Sequence, residues 1–132
     1  MLGLLALVTL AGAGAAGDPH DWHTRYTGRL SSTYWSCQRE TGQGDYVYTR
    51  CAWEEYHRRD AELNAAYQRV IAALSPEARA RLRSSQRAWI RRRDALCGAI
   101  RERQPGTNAL HLEPQCLADQ TIGRTQWLVR RR

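Results

Sequence analysis

Residues 86–97 read QRAWIRRRDALC, and this segment decides the fold because it carries polar groups where a helix should be apolar. Gln86 and Arg93 fall on the same predicted helical face as a row of apolar residues spaced at steps of seven and four. Buried amide and guanidinium groups persist only when their hydrogen bonds are satisfied, so this helix requires polar partners elsewhere in the chain. The apolar residues of the row are Leu82, Trp89, Leu96 and Ile100.

Residues 2–16 form an uncharged apolar run that ends in small residues. Such a run is typical of a signal peptide, with cleavage expected after Ala15 or Ala16, and a buried N-terminal helix is the alternative. It is too short to span a membrane, since a spanning helix needs about 20 apolar residues. No cysteine follows the small residues, so no lipid anchor is indicated. We therefore expect a secreted or periplasmic protein that is soluble, without a transmembrane segment, once residues 1–16 are removed.

The chain contains four cysteines, Cys37, Cys51, Cys97 and Cys116. An even number of cysteines in a small exported protein is typical of disulfides. The spacings include no Cys-x-x-Cys pair, which disfavours a zinc site. We expect two disulfides, no metal and no cofactor.

The formal net charge is +7, and all 20 basic residues are arginine. The expected signal peptide has no ionisable side chain, so the mature chain of about 116 residues retains the whole charge and forms one domain. The absence of lysine is attributed to genome composition rather than to selection for bidentate anion contacts. A strongly basic exported chain favours anionic partners.

Two long helices are predicted on either side of Ser75. The first follows Asp45 and runs to about Leu74 with a repeat near 3.6 residues. Ser75 is suited to cap the second helix, Pro76 to its first position and an acidic residue to its first turn, and this helix should reach about Arg103. The connection is short enough to require an antiparallel hairpin.

The remaining segments complete an all-α fold of three helices. Residues 17–36 show no clear period and are predicted to be irregular, and residues 104–113, closed by Pro114, are predicted to form a loop. A third helix should follow over residues 116–130. The helical domain is accordingly placed at residues 37–132.

An antiparallel hairpin that turns near residue 75 brings residues level when their numbers sum to about 151. Asp60 then lies beside Arg93, which suits a carboxylate and guanidinium pair. Asn64 lies near Gln86. Arg124, on the third predicted helix, could share Asp60 with Arg93 or bond to Gln86.

The same geometry places Cys51 within about one turn of Cys97. The leading predicted pairing is therefore Cys51 with Cys97 and Cys37 with Cys116. The alternative is Cys37 with Cys97 and Cys51 with Cys116, because a level match does not fix which helix faces point together.

Three segments carry motifs that recur in order along a known type of helical protein. They are Asp60-x-x-Leu63-Asn64-x-x-Tyr67, then Gln86-x-x-Trp89-x-x-x-Arg93-Asp94-x-x-Cys97, then Cys116 followed by Thr121-x-x-Arg124-x-x-x-Leu128. Together they resemble the LprI-type lysozyme inhibitor family from Cys37 to Leu128. The resemblance implies a small exported bacterial helical protein, and some members of that family inhibit host lysozyme. The shared residues are interpreted as a fold signature rather than a contact surface.

The chain departs from that family in two ways. The founding inhibitor type is a lipoprotein, whereas no cysteine lies near this cleavage site. The segment between Cys37 and Cys51 is also longer than the usual spacing.

The net charge bears on lysozyme as a partner. Animal lysozymes are typically basic, so an inhibitor of charge +7 is repelled at long range unless local acids such as Glu54 and Glu55 dominate.

A stripe of like charge is expected on the outer face of the second long helix. Its members, spaced at i, i+4, are Arg79, Arg83, Arg87 and Arg91. Neighbouring like charges repel, so the stripe is either a solvated face or a surface for an anionic partner. Envelope polymers and phospholipid head groups are the candidates, since export argues against nucleic acid.

No catalytic residues are predicted. His57 lies three residues before Asp60, and His20 lies three before His23, but neither pair brings a nucleophile or a third ligand. The sequence therefore predicts an exported non-catalytic binding protein that resembles lysozyme inhibitors. The alternative is an envelope-associated module held by its arginine stripe.

Overall fold

The computed structural model describes residues 26–40, 42, 44–104 and 106–131. This part of the chain is all-α, as predicted, with no strand among its elements. The predicted signal peptide, His20 and His23 lie outside it. The helices are α1 (Ser32–Glu40), α2 (Asp45–Ala72), α3 (Pro76–Arg103) and α4 (Asn108–Val129).

The turn between α2 and α3 forms as the sequence predicts. Ser75 is the N-cap of α3, and its side chain accepts a hydrogen bond from the Ala78 N–H at 3.3 Å. Pro76 occupies the first position of the helix, where its missing N–H costs nothing. The reversal takes three residues, 73–75, so α2 and α3 are connected as a hairpin.

The third partner of this hairpin is α4, which packs most extensively against α2 and next against α3. It runs parallel to α2, since Ala118 packs with Ala52 and Leu128 packs with Leu63. The α2 and α3 backbones contact each other less than either contacts α4. Most groups on the inner face of α3 therefore meet α4 rather than α2.

The start of α4 was predicted too late. The helix begins at Asn108, so the connection from α3 is only residues 104–107, and the expected loop over 108–113 is wrong. Pro114 lies inside the helix and is fully buried. Proline lacks the N–H that would bond to the carbonyl four residues earlier, and this loss is what made Pro114 read as a boundary.

The irregular structure predicted for residues 17–36 is wrong for residues 32–36, which form the first part of α1. The Ser31 Oγ accepts from the Tyr34 N–H at 3.2 Å and so starts the helix. Leu30 and Tyr34 are buried in the core. Arg29 joins this segment to α4 through two bonds to Asp119, at 2.7 and 2.9 Å.

Both predicted disulfide pairings are wrong. Cys37 is bonded to Cys51, which ties α1 to α2, and Cys97 is bonded to Cys116, which ties α3 to α4. The prediction used only the α2 and α3 register. Because α1 folds back onto α2 and α4 packs along α3, each cysteine meets its partner on the helix adjacent in the chain.

The inner face of α3 agrees with the sequence pattern at all but one position. Trp89 is half-buried, as its place in the row suggests, whereas Leu96 is 44% exposed and does not belong to that face. The buried residues of α3 are Leu82, Gln86, Arg93, Cys97 and Ile100.

No helix in the described ranges is long and apolar enough to cross a membrane.

Candidate functional site

Arg93 lies at the junction of α2, α3 and α4, with 8% of its side chain exposed. Its Nε donates to the Asp94 Oδ1 at 2.9 Å, and its Nη1 donates to the Thr121 Oγ1 at 3.4 Å. The Nη1 also lies 3.7 Å from the Asp60 Oδ1, so the predicted pairing across the hairpin forms at a longer distance. Arg93 therefore connects three helices through its guanidinium.

Arg124 is the second buried arginine, at 7% exposure, and its hydrogen-bond partners are neutral. The Nε donates to the Gln86 Oε1 at 2.9 Å, and the Nη2 donates to the Ser85 Oγ at 2.9 Å. No carboxylate of the described residues forms an ion pair with it. Burial first, and then repulsion from Arg131 and Arg92, lower the pKa of Arg124 to about 10, so the group stays charged at neutral pH.

Both buried arginines lie against aromatic rings, forming an alternating stack. The Arg93 guanidinium carbon is 5.0 Å from the centroid of Trp89, and that of Arg124 is 3.8 Å from the centroid of Trp127. Such contacts are worth about 0.5–2 kcal/mol each and offset part of the cost of burying the charge. The stack runs from the core to the surface through Tyr56, Arg93, Trp89, Arg124, Trp127 and Arg131.

The other residues carried over from the family pattern lie in or near this core. Leu63 and Leu128 are buried in one apolar cluster, and Tyr67 is half-buried against it. Asn64 does not reach Gln86. It is exposed and donates to the Asp60 Oδ2 at 3.4 Å. The partner of Gln86 is Arg124 on α4 instead. The geometry of this set favours a role in packing.

The arginine stripe divides into two parts. Arg79 turns back onto the end of α2, where its Nε donates to the Ile71 carbonyl at 3.0 Å and its Nη2 donates to the Ala72 carbonyl at 3.2 Å. It therefore satisfies carbonyls at a helix end. Arg83, Arg87 and Arg91 are exposed and have no ion pair or hydrogen bond with any described residue. These three, called the outer stripe below, span about 12 Å.

Glu55 is not one of the surface acids that could offset repulsion from a basic lysozyme, because it is not available to a partner. It is fully buried, and Arg58 and Arg59 donate to it at 2.6 and 3.0 Å. Ser31 donates to it twice, from its N–H at 2.9 Å and its Oγ at 2.7 Å. Burial alone would raise the pKa of Glu55, but these hydrogen bonds together hold it below its usual range. Glu54 forms an ion pair with Arg50 at 2.9 Å.

The sequence did not identify Glu55 as the acid that anchors α1. Arg58 and Arg59 lie three and four residues after it, which is ion-pair spacing on a helix and was the available signal. The contact with Ser31 crosses 24 positions and has no local signal.

No group of three potential metal ligands occurs in the described residues. His57 is exposed and stacks on Trp53, with 6.0 Å between ring centroids.

Comparison with known proteins agrees with this architecture. Residues 37–128 match the family model described as "Lysozyme inhibitor LprI". "Uncharacterized protein R02472" of Rhizobium meliloti (strain 1021) is 34% identical over an alignment of 103 positions, which covers 67% of this chain and 73% of that protein. No solved structure matches the chain. The chain belongs to the LprI lysozyme inhibitor family.

Proposed function

We propose that the chain is exported and, after signal-peptide cleavage, acts as a soluble, non-catalytic inhibitor that binds lysozyme through the outer stripe. The family match supports lysozyme as the target. The observation that carries the site is the unpaired state of Arg83, Arg87 and Arg91 on one exposed face. Unpaired arginines suit a partner that presents carboxylates.

The substrate cleft of a lysozyme supplies such a partner. Its chemistry uses one glutamate and one aspartate, which sit close together on either side of the scissile bond. Arginine forms a bidentate pair with a carboxylate, and an arginine seated on either acid would block the reaction. Inhibition requires no reaction by the inhibitor itself.

The net charge of +7 does not prevent this pairing. Repulsion from a basic lysozyme acts at long range and is largely screened beyond about 8 Å at physiological ionic strength. Within that distance the local carboxylates of the cleft determine the interaction. We therefore expect slow association whose rate rises with added salt, followed by close contact.

The test is inhibition of a c-type lysozyme by the purified mature chain, with a soluble chitooligosaccharide as substrate. A soluble substrate is needed because a basic protein that coats cell walls would also slow their lysis. Arg83→Glu/Arg87→Glu should reduce inhibition at least tenfold. The matched control is Arg39→Glu/Arg103→Glu, which changes two exposed arginines elsewhere and should inhibit like the unaltered chain. No inhibition by the unaltered chain at micromolar excess would refute the proposal.

The second candidate is association with an anionic envelope polymer or lipid head groups through the same outer stripe. Three arginines that have no acid beside them favour it as well, since each can pair with a phosphate. Flotation with phosphatidylglycerol vesicles should retain the unaltered chain and release Arg83→Glu/Arg87→Glu. Retention that does not fall with added salt would count against this candidate.

A further inference from the structure

A cleft opens where the end of α2, the start of α3 and the end of α4 meet. Its volume is about 490 Å³, within the range of roughly 300–1,000 Å³ that is typical of sites for small molecules. Apolar side chains form most of its lining. We call it the Trp127 cleft, and the side chains that matter below are Val70, Leu74, Arg81, Leu82, Trp127 and Arg131.

The charged residues that line this cleft and the groove beside it are all positive. Arg81 and Arg131 line the cleft itself, and Arg69 lines the adjoining groove that shares Val70 and Leu74 with it. All three arginines are exposed, and none forms an ion pair with a described residue. Glu77, one helical turn before Arg81, forms no ion pair with it either.

A buried positive charge lies directly behind the lining. Arg124 stacks on Trp127 and bonds to Ser85, and both of those residues face the cleft. Because Arg124 bonds only to neutral groups, its charge adds to the positive potential in the cleft. Arg131 lies against the same ring at 3.8 Å. An anion in the cleft would therefore offset the repulsion between the guanidiniums of Arg124 and Arg131.

We propose that the Trp127 cleft binds a single-chain anionic amphiphile. Its carboxylate or phosphate head pairs with Arg81 and Arg131, and its acyl chain lies on Val70, Leu74 and Trp127. The apolar lining accounts for the chain, and the arginines account for the head group. A concave site of this volume suits one small molecule better than an extended peptide, which would need a longer groove. This site is separate from the outer stripe and does not depend on lysozyme binding.

Isothermal titration of the full mature chain with ligands that share a dodecyl chain tests the proposal. Laurate and dodecyl phosphate, used below their micelle concentrations, represent the fatty-acid and phosphate sources. Dodecyl maltoside and dodecyltrimethylammonium are the neutral and cationic controls. The two anions should bind at least tenfold more tightly than the neutral ligand. Equal binding of neutral and anionic ligands, or no binding by either anion, would overturn the proposal.

Variants locate the site and separate it from general basic charge. Arg81→Gln/Arg131→Gln should weaken binding of the preferred anion at least tenfold and leave dodecyl maltoside unchanged. Arg83→Gln/Arg87→Gln removes the same charge from the outer stripe and should have no effect. Equal loss in the two double variants would mean that only net charge matters.

Two further ligands test the nature of the occupant. Acetate and inorganic phosphate should bind at least tenfold more weakly than laurate and dodecyl phosphate, because they lack the chain. An acidic peptide should not displace laurate. Tight binding of the short anions would reduce the site to a simple anion site, and displacement by the peptide would assign the cleft to a protein partner. Either result would contradict the proposal.

Discussion

Gln86 accepts a hydrogen bond from the Nε of Arg124 at 2.9 Å, and both residues are more than nine-tenths buried. This contact joins α3 to α4. It gives the amide on the inner face of α3 the partner that its position requires.

Gln86→Leu should therefore destabilise the fold although it adds an apolar group to an inner face. The Arg124 Nε–H would lose its acceptor in a buried site, which costs about 1.5–3 kcal/mol for a charged donor. Urea unfolding would show the loss as a lower midpoint. Ser85→Ala is the matched control and should cost less, since Ser85 is half-buried and water can replace its oxygen.

Glu55 should make stability depend on acidic pH. Its folded pKa lies below the unfolded value of about 4.3, so its contribution is complete above that pH and is lost as pH falls through the folded pKa. The free energy of unfolding should be flat from pH 7 to 5 and fall below about pH 4. Glu55→Gln should lose about 3 kcal/mol at pH 7, and its acid dependence should be weaker. Equal acid sensitivity of the two proteins would contradict this assignment.

Arg79 and Arg83 should differ although the sequence places them in one stripe. Arg79→Ala removes two bonds to the carbonyls that end α2, and a loss of about 0.5–1.5 kcal/mol is expected. Arg83→Ala touches no described partner and should change stability by less than about 0.5 kcal/mol. Thermal melts of the two variants under one condition provide the comparison, and equal melting temperatures would contradict the assigned role of Arg79.

The disulfides give a chemical test of the helix order. Non-reducing peptide mapping should recover one peptide pair with Cys37 and Cys51 and another with Cys97 and Cys116. Replacing either pair with serines should cost about 3 kcal/mol, since each closes a loop of similar length. Recovery of a peptide pair that joins Cys51 to Cys97 would refute the arrangement of α1 and α4.

The sequence predictions were correct where the feature depends on neighbouring residues or on regular helix geometry. Local chemistry placed the α2 to α3 turn, because Ser75 and Pro76 act on neighbouring backbone groups. Helix register was enough to pair Asp60 with Arg93. The inward position of Gln86 indicated a polar partner, but register alone pointed to Asn64, and the partner found is Arg124 on α4. The Asp60 and Arg93 inference needed only the rise and period of a helix.

The errors came from contacts that no local pattern encodes. Helix α1 is short, and Ser31, which starts it, is held in place by Glu55, 24 residues later in the chain. Pro114 is tolerated within α4 because the surrounding helices bury it, a tertiary effect that overrides its local preference. Since α1 and the start of α4 were missed, the helices that carry Cys37 and Cys116 could not be positioned, and the disulfides were paired incorrectly.

The most direct test of the account is the hydrolysis of a soluble chitooligosaccharide by c-type lysozyme in the presence of the two charge-reversed double variants. Both lower the net charge from +7 to +3, so long-range repulsion from lysozyme falls equally in each. The account predicts that Arg39→Glu/Arg103→Glu still inhibits and that Arg83→Glu/Arg87→Glu does not. Full inhibition by Arg83→Glu/Arg87→Glu would contradict the assignment of lysozyme binding to the outer stripe.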